Sequence, residues 1–400
     1  ILIRFVVEQG YQDRYTGALL WTSRENTMSP HSKIRHIIAI ASGKGGVGKS
    51  TVSTNLALAL KERGFSVGLM DADIYGPSQP GLLGESGARV RVNERQELIP
   101  SEKHGISFIS MGLLLAEDGP VIWRAPMAMK AIQQFLHQVD WGELDYLLLD
   151  LPPGTGDVQI TLAQQAPLTG AIIVSTPQDV ALGIAKRGLK MFEQVNVPIL
   201  GVIENMSGYT CEHCGEITRL FASGGAEKMA AEMGTSFLGR IPLDPEILEC
   251  SDRGTPVLVQ SLDLPASKSF LEVSDTLVQH LEKQEKTRVP EPEDLTLLND
   301  GNLQILWPDQ HIGIHTPLEL RRHCLCARCV NEDTGQKTLD DSTISLDLTI
   351  NEIKRVGRYA LSISFSDSHT SGIYAYERLR EICECESCKK DRGAQETFSV

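Results

Sequence analysis

The apolar run Ile37-Ile38-Ala39-Ile40-Ala41 leads almost directly into Gly43-Lys44-Gly45-Gly46-Val47-Gly48-Lys49-Ser50-Thr51, which fits the phosphate-binding pattern G-x-x-x-x-G-K-[ST]. Small residues at these places let successive backbone N–H groups face phosphate oxygens where a helix begins. A pattern this short can also arise as a glycine-rich turn that holds nothing. The strand before it and the helix-forming stretch Ser53 to Arg63 after it supply the setting that phosphate binding needs. A nucleoside triphosphate, ATP in this reading, is therefore the expected ligand.

Within the loop, Lys49 is expected to neutralise the β and γ phosphates, and the Ser50 hydroxyl to ligate Mg²⁺. Lys44, one residue after the first glycine, is not constrained by the pattern. The K-G-G-V-G-K-S wording resembles that of deviant-loop ATPases, and the resemblance implies that Lys44 reaches across a dimer interface to the partner's nucleotide. Catalysis would then depend on a homodimer.

From Ile34 to about Leu281, short apolar runs alternate with helical stretches. The strand candidates are Ile37 to Ala41, Ser66 to Met70, Ile106 to Ser110, Asp145 to Leu149, Ala171 to Ser175, Ile199 to Ile203 and Ser236 to Leu238. Amphipathic segments such as Ala181 to Val195 and Gly225 to Met233 lie between them. Continuous apolar strands separated by helices predict an α/β fold with a mostly parallel sheet covered on both faces and ligands at the carboxyl strand ends, which together with the phosphate loop is the expectation of a P-loop NTPase.

Two acidic motifs close such strands. Asp71-Ala72-Asp73 places two carboxylates near the phosphates, one to hold Mg²⁺ through water and the other, Asp73, to orient the attacking water. The same pair could serve only as a turn and helix cap. Asp150 ends Tyr146-Leu147-Leu148-Leu149 and precedes Leu151-Pro152-Pro153-Gly154-Thr155-Gly156-Asp157, an arrangement that puts Asp150 near Mg²⁺ and lets the Gly154 N–H reach the γ-phosphate.

Together the loop, D-A-D-I-Y-G-P-S at Asp71 to Ser78, D-L-P-P-G-T-G-D at Asp150 to Asp157, S-T-P-Q-D-V-A-L at Ser175 to Leu182 and E-N-M-S at Glu204 to Ser207 resemble the Mrp/ApbC family of iron-sulfur cluster carrier ATPases. The resemblance spans roughly residues 34 to 280. It implies a homodimer that binds a 4Fe-4S cluster, hydrolyses ATP and passes the cluster from upstream donors to recipient apoproteins. It also implies that Asn205 contacts the adenine, and that the C-x-x-C pair Cys211 and Cys214 holds the cluster. Two thiolates are half of what a 4Fe-4S cluster or a tetrahedral zinc requires, so two subunits must meet to complete the site. A structural zinc using His213 and a redox C-x-x-C are the competing readings. Many Mrp relatives carry an acidic, cysteine-bearing domain ahead of the ATPase. Residues 1 to 30 are too short for one, which would leave target recruitment to the C-terminal module.

Eight of the nine cysteines fall in three tight clusters, with only Cys250 alone, which reads as metal sites in a reducing compartment rather than as a disulfide framework. The stretch from Lys283 to Asp294, with Pro290 and Pro292, reads as linker. Beyond it Trp307-Pro308-Asp309-Gln310-His311 and Leu320-Arg321-Arg322-His323-Cys324 are echoed by Phe365-Ser366-Asp367-Ser368-His369 and Leu379-Arg380-Glu381-Ile382-Cys383, and both copies end in C-x-C-x-x-C. The expected division is a tail at 1–32, the ATPase at 33–282, a linker at 283–297, a small α+β metal-binding domain at 298–392 and a tail at 393–400.

The C-terminal module resembles the small zinc domain of γ-butyrobetaine-type dioxygenases, also attached to carriers of the plastid high-chlorophyll-fluorescence type. The matching residues are L-R-R-H-C-L-C-A-R-C at Leu320 to Cys329, T-G-Q-K at Thr334 to Lys337 and S-D-S-H-T-S-G-I-Y at Ser366 to Tyr374. Carried over, Cys324, Cys326, Cys329 and His369 form a closed Cys₃His zinc site. The triplet Cys383, Cys385 and Cys388 is not part of that pattern. It could bind a second metal, with His311 by the pseudo-symmetry of the repeat, or be three exposed thiols.

Charge and hydropathy narrow the partners. Lys and Arg total 38 against 52 Asp and Glu, a net charge of -14 with no basic stripe, which argues against nucleic acid. No apolar run nears the roughly 20 residues of a membrane span, so a soluble protein is expected. Residues 1 to 30 carry neither a secretory apolar region nor an Arg/Ser-rich transit pattern. Cytoplasm is the expected compartment, with plastid stroma the alternative. The first residue is Ile1, which fits a processed, truncated or partial chain, and Met28 offers another start. The rival function is a spatial-regulator or partitioning ATPase of the MinD/ParA kind, which shares Lys44. Such proteins need a terminal amphipathic helix or basic surface that Asp391 to Val400 does not offer. A third reading, a zinc-organised scaffold without turnover, would be excluded by ATP hydrolysis that depends on Lys49.

Overall fold

In a computed structural model of the chain, the described residues are 33–385 and 388, apart from 75, 88, 115–131, 133, 155–156, 196, 211–216, 219–223, 288, 327, 331–335, 357–359 and 386–387. The chain divides into two compact units between His280 and Leu281.

The first unit begins with β1 (Ile34–Ala41), whose residues from His36 onward are all buried. The phosphate-type loop follows, then α1 (Lys49–Glu62) and β2 (Val67–Asp71). After a one-turn helix, α2 (Gln79–Leu82), come the short strands β3 (Arg91–Val92), β4 (Leu98–Ile99) and β5 (Ser101–Lys103), then β6 (Ile106–Ser110). The remaining elements are β7 (Leu144–Asp150), α3 (Asp157–Gln165), β8 (Gly170–Ser175), α4 (Asp179–Gln194), β9 (Ile199–Thr210), β10 (Ile217–Thr218), α5 (Gly225–Glu232) and β11 (Phe237–Leu243). Three helices close the unit: α6 (Pro245–Asp252), α7 (Val257–Gln260) and α8 (Pro265–Thr287).

Nine strands form one sheet in the order β10-β9-β8-β1-β7-β2-β6-β5, with β11 also paired to β9. All pairs are parallel except β5 with β6 and β10 with β9. The P-loop NTPase fold expected from the phosphate loop and the alternation of strands and helices is therefore present. The reason is visible in burial: Leu147, Leu148 and Leu149 of β7 and Ile38, Ala39 and Ile40 of β1 have no solvent exposure, which only strands covered on both faces achieve. The chain leaves β1, skips the adjacent position, which β7 fills, and lays down β2 beyond it. Such a switch in strand order opens a crevice at the carboxyl strand ends.

Several boundaries differ from the sequence expectation, among them the end of β11, at Leu243 rather than Leu238. β9 does not stop at Ile203 but runs on to Thr210, because β11 pairs alongside it with Ile241 opposite Asn205 and Leu243 opposite Tyr209. The segment 283–297 is helical as far as Thr287 and a strand from Asp294. Glu282, Lys283, Gln284 and Glu285 are good helix formers, and Pro290 and Pro292 act only beyond them.

The second unit consists of two antiparallel meanders, β12 (Asp294–Leu297), β13 (Leu303–Leu306) and β14 (Ile312–His315), then β15 (Ile350–Val356), β16 (Ala360–Phe365) and β17 (Gly372–Ala375). A short helix follows each: α9 (Pro317–Arg322) after β14, and α10 (Tyr376–Glu381) after β17. Both halves contribute to one core that includes Leu303, Ile305, Trp307, Ile363, Phe365 and Tyr374. Neither half has enough apolar surface to bury itself alone, so the repeat visible in the sequence folds as one body. Among the described residues, no helix is long and apolar enough to cross a membrane.

Candidate functional site

The carboxyl ends of β1, β7 and β2 bring the sequence-predicted nucleotide residues together. Pairing puts Ile40 opposite Asp150 and Asp150 opposite Asp71, so the loop after β1 hangs over two carboxylates on neighbouring strands. Lys49, the first residue of α1, turns its ammonium onto Asp150, with Nζ 2.5 Å from Oδ1, and both side chains are buried. Lys49 Nζ also lies 3.3 Å from Ser50 Oγ. Asp150 accepts further bonds from Ser53 Oγ at 3.0 Å and from Gln79 Nε2 at 2.9 Å. A carboxylate this deeply buried is tolerated only with such partners.

Backbone shape explains two of the loop glycines. At Gly48 φ is +78°, a left-handed conformation, and a Cβ there would lie 2.3 Å from Asn205 Nδ2. A Cβ on Gly43 would meet the Ile184 backbone carbonyl carbon at 2.8 Å, so α4 can approach the loop only because that position is bare. Gly45 and Gly46 are exposed, Lys44, Ser50 and Thr51 are half-buried, and Val47 is buried. The Lys44 carbonyl accepts from Ser42 Oγ at 3.0 Å, which pins the start of the loop.

Asp71 and Asp73 sit in unlike surroundings. Asp71 has no exposure and accepts from Ser110 Oγ at 2.8 Å and from the amides of Asp73, Ser78 and Gln79 at 3.1, 3.1 and 3.2 Å. Burial, together with the charge of Asp150 beside it, pushes its carboxyl up to about 7. Asp73 lies at the edge of the buried region and accepts from the Gly76 amide at 3.2 Å. The Gly154 amide, expected to reach a γ-phosphate, donates to the Ser42 carbonyl at 2.9 Å and ties the loop after β7 to the phosphate loop.

Asn205 donates from Nδ2 to the Val47 carbonyl at 2.8 Å, so in this structure it braces the loop from the end of β9. Its neighbour Glu204 has no exposure and accepts from Ser207 Oγ, from the Gly224 amide at 3.4 Å and from the Ala226 amide at 2.9 Å. The carboxylate thereby caps α5 and clamps the two ends of the segment that carries the C-x-x-C pair. Cys211 and Cys214 themselves lie outside the described residues.

Sequence reasoning missed Gln79, Ser53, Ser110 and Glu204. Gln79 directly follows D-A-D-I-Y-G-P-S and is a fully buried amide linking Thr54, the Ser50 carbonyl and Asp150. The available signal was a polar side chain in an otherwise apolar helix start. Nothing in its type distinguished it from an ordinary surface glutamine.

In the second unit the expected zinc ligands converge. His369 Nε2 lies 3.3, 3.6 and 4.0 Å from the sulfurs of Cys324, Cys326 and Cys329. Zinc–sulfur and zinc–nitrogen bonds of about 2.3 and about 2.0 Å at a tetrahedral angle put donors roughly 3.5 Å apart, so this set fits zinc. Arg321 Nη1 donates to Cys329 Sγ at 3.1 Å and Arg321 Nε to Asp367 Oδ2 at 2.8 Å, which steadies both the thiol and the loop bearing His369. Burial, followed by the neighbouring thiols, pushes the Cys324 thiol up to about 12. Cys383, Cys385 and Cys388 are not three exposed thiols: Cys383 is buried, the other two half-buried, and all three surround His311. Cys250 is buried within α6, apart from either cluster.

The chain is similar in sequence to several known proteins. An iron-sulfur cluster carrier protein of Aquifex aeolicus is 51% identical over 252 residues, covering 63% of this chain and 69% of its own length. The iron-sulfur cluster transfer protein NUBPL of Dictyostelium discoideum is 48% identical over 250 residues, 62% of this chain and 77% of its own. A nucleotide-binding protein of Archaeoglobus fulgidus, solved in complex with ADP, superposes with a TM-score of 0.53 at 40% identity, over 60% of this chain and 94% of that one. Residues 296–380 match the family of gamma-butyrobetaine hydroxylase-like N-terminal domains. Residues 33–278, more than half of the chain, match the ParA family described as NUBPL iron-transfer P-loop NTPases, and the chain belongs to that family.

Proposed function

We propose that this chain is an ATP-dependent carrier of iron-sulfur clusters. It would hold a 4Fe-4S cluster as cargo between the Cys211 and Cys214 pairs of two subunits and deliver it to recipient apoproteins. The observation that carries this reading is the path along β9. Asn205 on that strand holds the Val47 carbonyl of the phosphate loop, Glu204 beside it clamps the following segment, and Cys211 comes six residues after Asn205. Any shift of the phosphate loop on nucleotide binding is thereby felt at the base of the segment that would grip the cluster.

In this reading Lys49 leaves Asp150 to neutralise the β and γ phosphates, and Ser50 and Asp150 would hold Mg²⁺, which would supply further charge neutralisation there. Asp73 orients the water that attacks the γ-phosphorus as the bond to the ADP oxygen breaks, giving ADP, phosphate and a proton. Lys44 reaches the partner's nucleotide. The Gly154 amide exchanges the Ser42 carbonyl for a γ-phosphate oxygen and returns after hydrolysis, so the loop after β7 reports the nucleotide state. Cys324, Cys326, Cys329 and His369 would hold a structural zinc that organises the second unit.

The decisive measurement is iron and sulfide per chain after anaerobic reconstitution, followed by transfer to an apoprotein with and without ATP. Four iron and four sulfide per two chains are expected, with Cys214→Ser losing both cluster and transfer. A variant that keeps its cluster and still transfers it would exclude the C-x-x-C site.

A further inference from the structure

We propose that Cys383, Cys385, Cys388 and His311 form a second, mononuclear zinc site in the second unit, separate from the one expected at Cys324, Cys326, Cys329 and His369. His311 Nε2 lies 3.4, 3.7 and 3.6 Å from the sulfurs of Cys383, Cys385 and Cys388. All four donor atoms lie within 4.8 Å of one another. These spacings match the roughly 3.5 Å edge of a Cys₃His zinc tetrahedron as closely as those of the first cluster do. They are too short for a polynuclear cluster, whose irons hold the thiolates farther apart. A thiolate-rich tetrahedral set selects zinc over hard cations.

The site is built by exchange between the two halves. The first half supplies Cys324, Cys326 and Cys329, and takes its imidazole from His369 of the second. The second half supplies Cys383, Cys385 and Cys388, and takes its imidazole from His311 of the first. Supporting contacts follow the same exchange: Arg321 of the first half grips Asp367, and Arg380 of the second grips Asp309 at 2.7 Å. Each aspartate accepts the backbone amide of the histidine two residues on, Asp309 from His311 at 3.2 Å and Asp367 from His369 at 3.0 Å. Each histidine carbonyl in turn accepts from the aromatic residue that ends the strand or follows it, Trp307 or Phe365, at 2.9 Å. Chance convergence of surface thiols would not reproduce these supporting contacts of the first site.

Buried polar atoms around Cys383 make the same point independently. A Cβ on Gly313 would lie 3.5 Å from Cys383 Sγ, 3.2 Å from His315 Nε2 and 3.5 Å from Trp307 Nε1. His315 is fully buried, and neither its ring nitrogens nor Trp307 Nε1 has a hydrogen-bond partner among the described residues. These nitrogens and the Cys383 sulfur line the same space beside Gly313, a polar setting that suits a metal-bound thiolate better than a neutral thiol. Because three ligands come from one half and one from the other, each ion staples the two halves together.

The test uses the full chain with Cys211→Ser and Cys214→Ser, so that cluster binding cannot obscure the count. Two zinc per chain are expected, falling to one with His311→Ala and to one with Cys324→Ser. Since either change could disturb folding, His311→Cys provides the second arm. It should keep two ions, and in the cobalt-substituted protein the visible bands should shift as one Cys₃His set becomes Cys₄. One zinc per chain in the parent, with three cysteines still reactive to a thiol reagent under native conditions, overturns the proposal. So does iron with sulfide in place of a single ion. Neither outcome bears on cluster carriage at Cys211 and Cys214, which stands or falls by its own measurement.

Discussion

Lys49 spends its charge on Asp150: the two meet at 2.5 Å, both buried, at the point where β7 ends beneath the phosphate loop. The lysine proposed to bind phosphate is thus already desolvated and held against the carboxylate. In the proposed function, nucleotide binding exchanges one partner for another.

Removing the lysine alone strands a buried carboxylate. Lys49→Ala is expected to abolish ATP turnover and to lower unfolding free energy by about 3 kcal/mol. Lys49→Met combined with Asp150→Asn should recover most of that stability in denaturant melts while turnover stays absent. A single mutant as stable as the parent would show that the pair contributes nothing to the fold.

Asp71 confers a pH dependence of definite sign. Its folded carboxyl titrates at about 7, above its value in the unfolded chain, so the folded state binds the proton more tightly. The stabilisation from that proton is full below pH ~4 and disappears as pH rises to about 7 and beyond. Melting temperature should therefore fall across this window in the nucleotide-free protein by more than it does in Asp71→Asn. Equal slopes in the two proteins would remove Asp71 as the source.

Glu204 joins the strand bracing the phosphate loop to the helix after the C-x-x-C segment. Glu204→Ala should cost about 2 kcal/mol through the freed amide of Ala226 and the lost helix cap. Reconstituted protein should also release iron faster, while nucleotide affinity in the absence of cluster changes little. Unchanged iron retention would limit Glu204 to a structural role.

Gly48→Ala places a methyl where Asn205 Nδ2 now sits, on a backbone with φ of +78°. Conformational strain of roughly 1–2 kcal/mol is expected, with displacement of Asn205 from Val47. Calorimetric ADP affinity should drop at least tenfold. Gly46→Ala, where a Cβ would meet nothing within 4 Å, isolates the backbone contribution alone.

How far each element was legible depended on whether its signal was local. The strands at Leu144–Asp150 and Gly170–Ser175 read directly because burial on both faces favours continuous apolar runs such as Tyr146 to Leu149 and Ala171 to Val174. The C-terminal part of β9 did not, since Glu204, Asn205 and Ser207 are polar and the strand is carried on by its neighbours β8, β11 and β10. Gln79 and Glu204 looked like ordinary polar residues, and their importance comes from what folding places around them. The role of Gly154 was legible as a loop position, but its present partner, the Ser42 carbonyl, was not.

The amino-acid sequence by itself determined the phosphate loop, the acidic strand ends, the alternation that makes a parallel sheet and the duplication of C-x-C-x-x-C. Each is written in residue type and short spacing, which backbone geometry reads locally. Tertiary structure alone decided which groups share charge, and it brought His369 and His311 to the cysteine triplets with which the resemblance and the repeat pair them. Lys49 finds Asp150 across 101 positions, and His311 finds Cys383 across 72. Such pairings depend on strand order and on the two meanders packing into one core, and no local pattern encodes either.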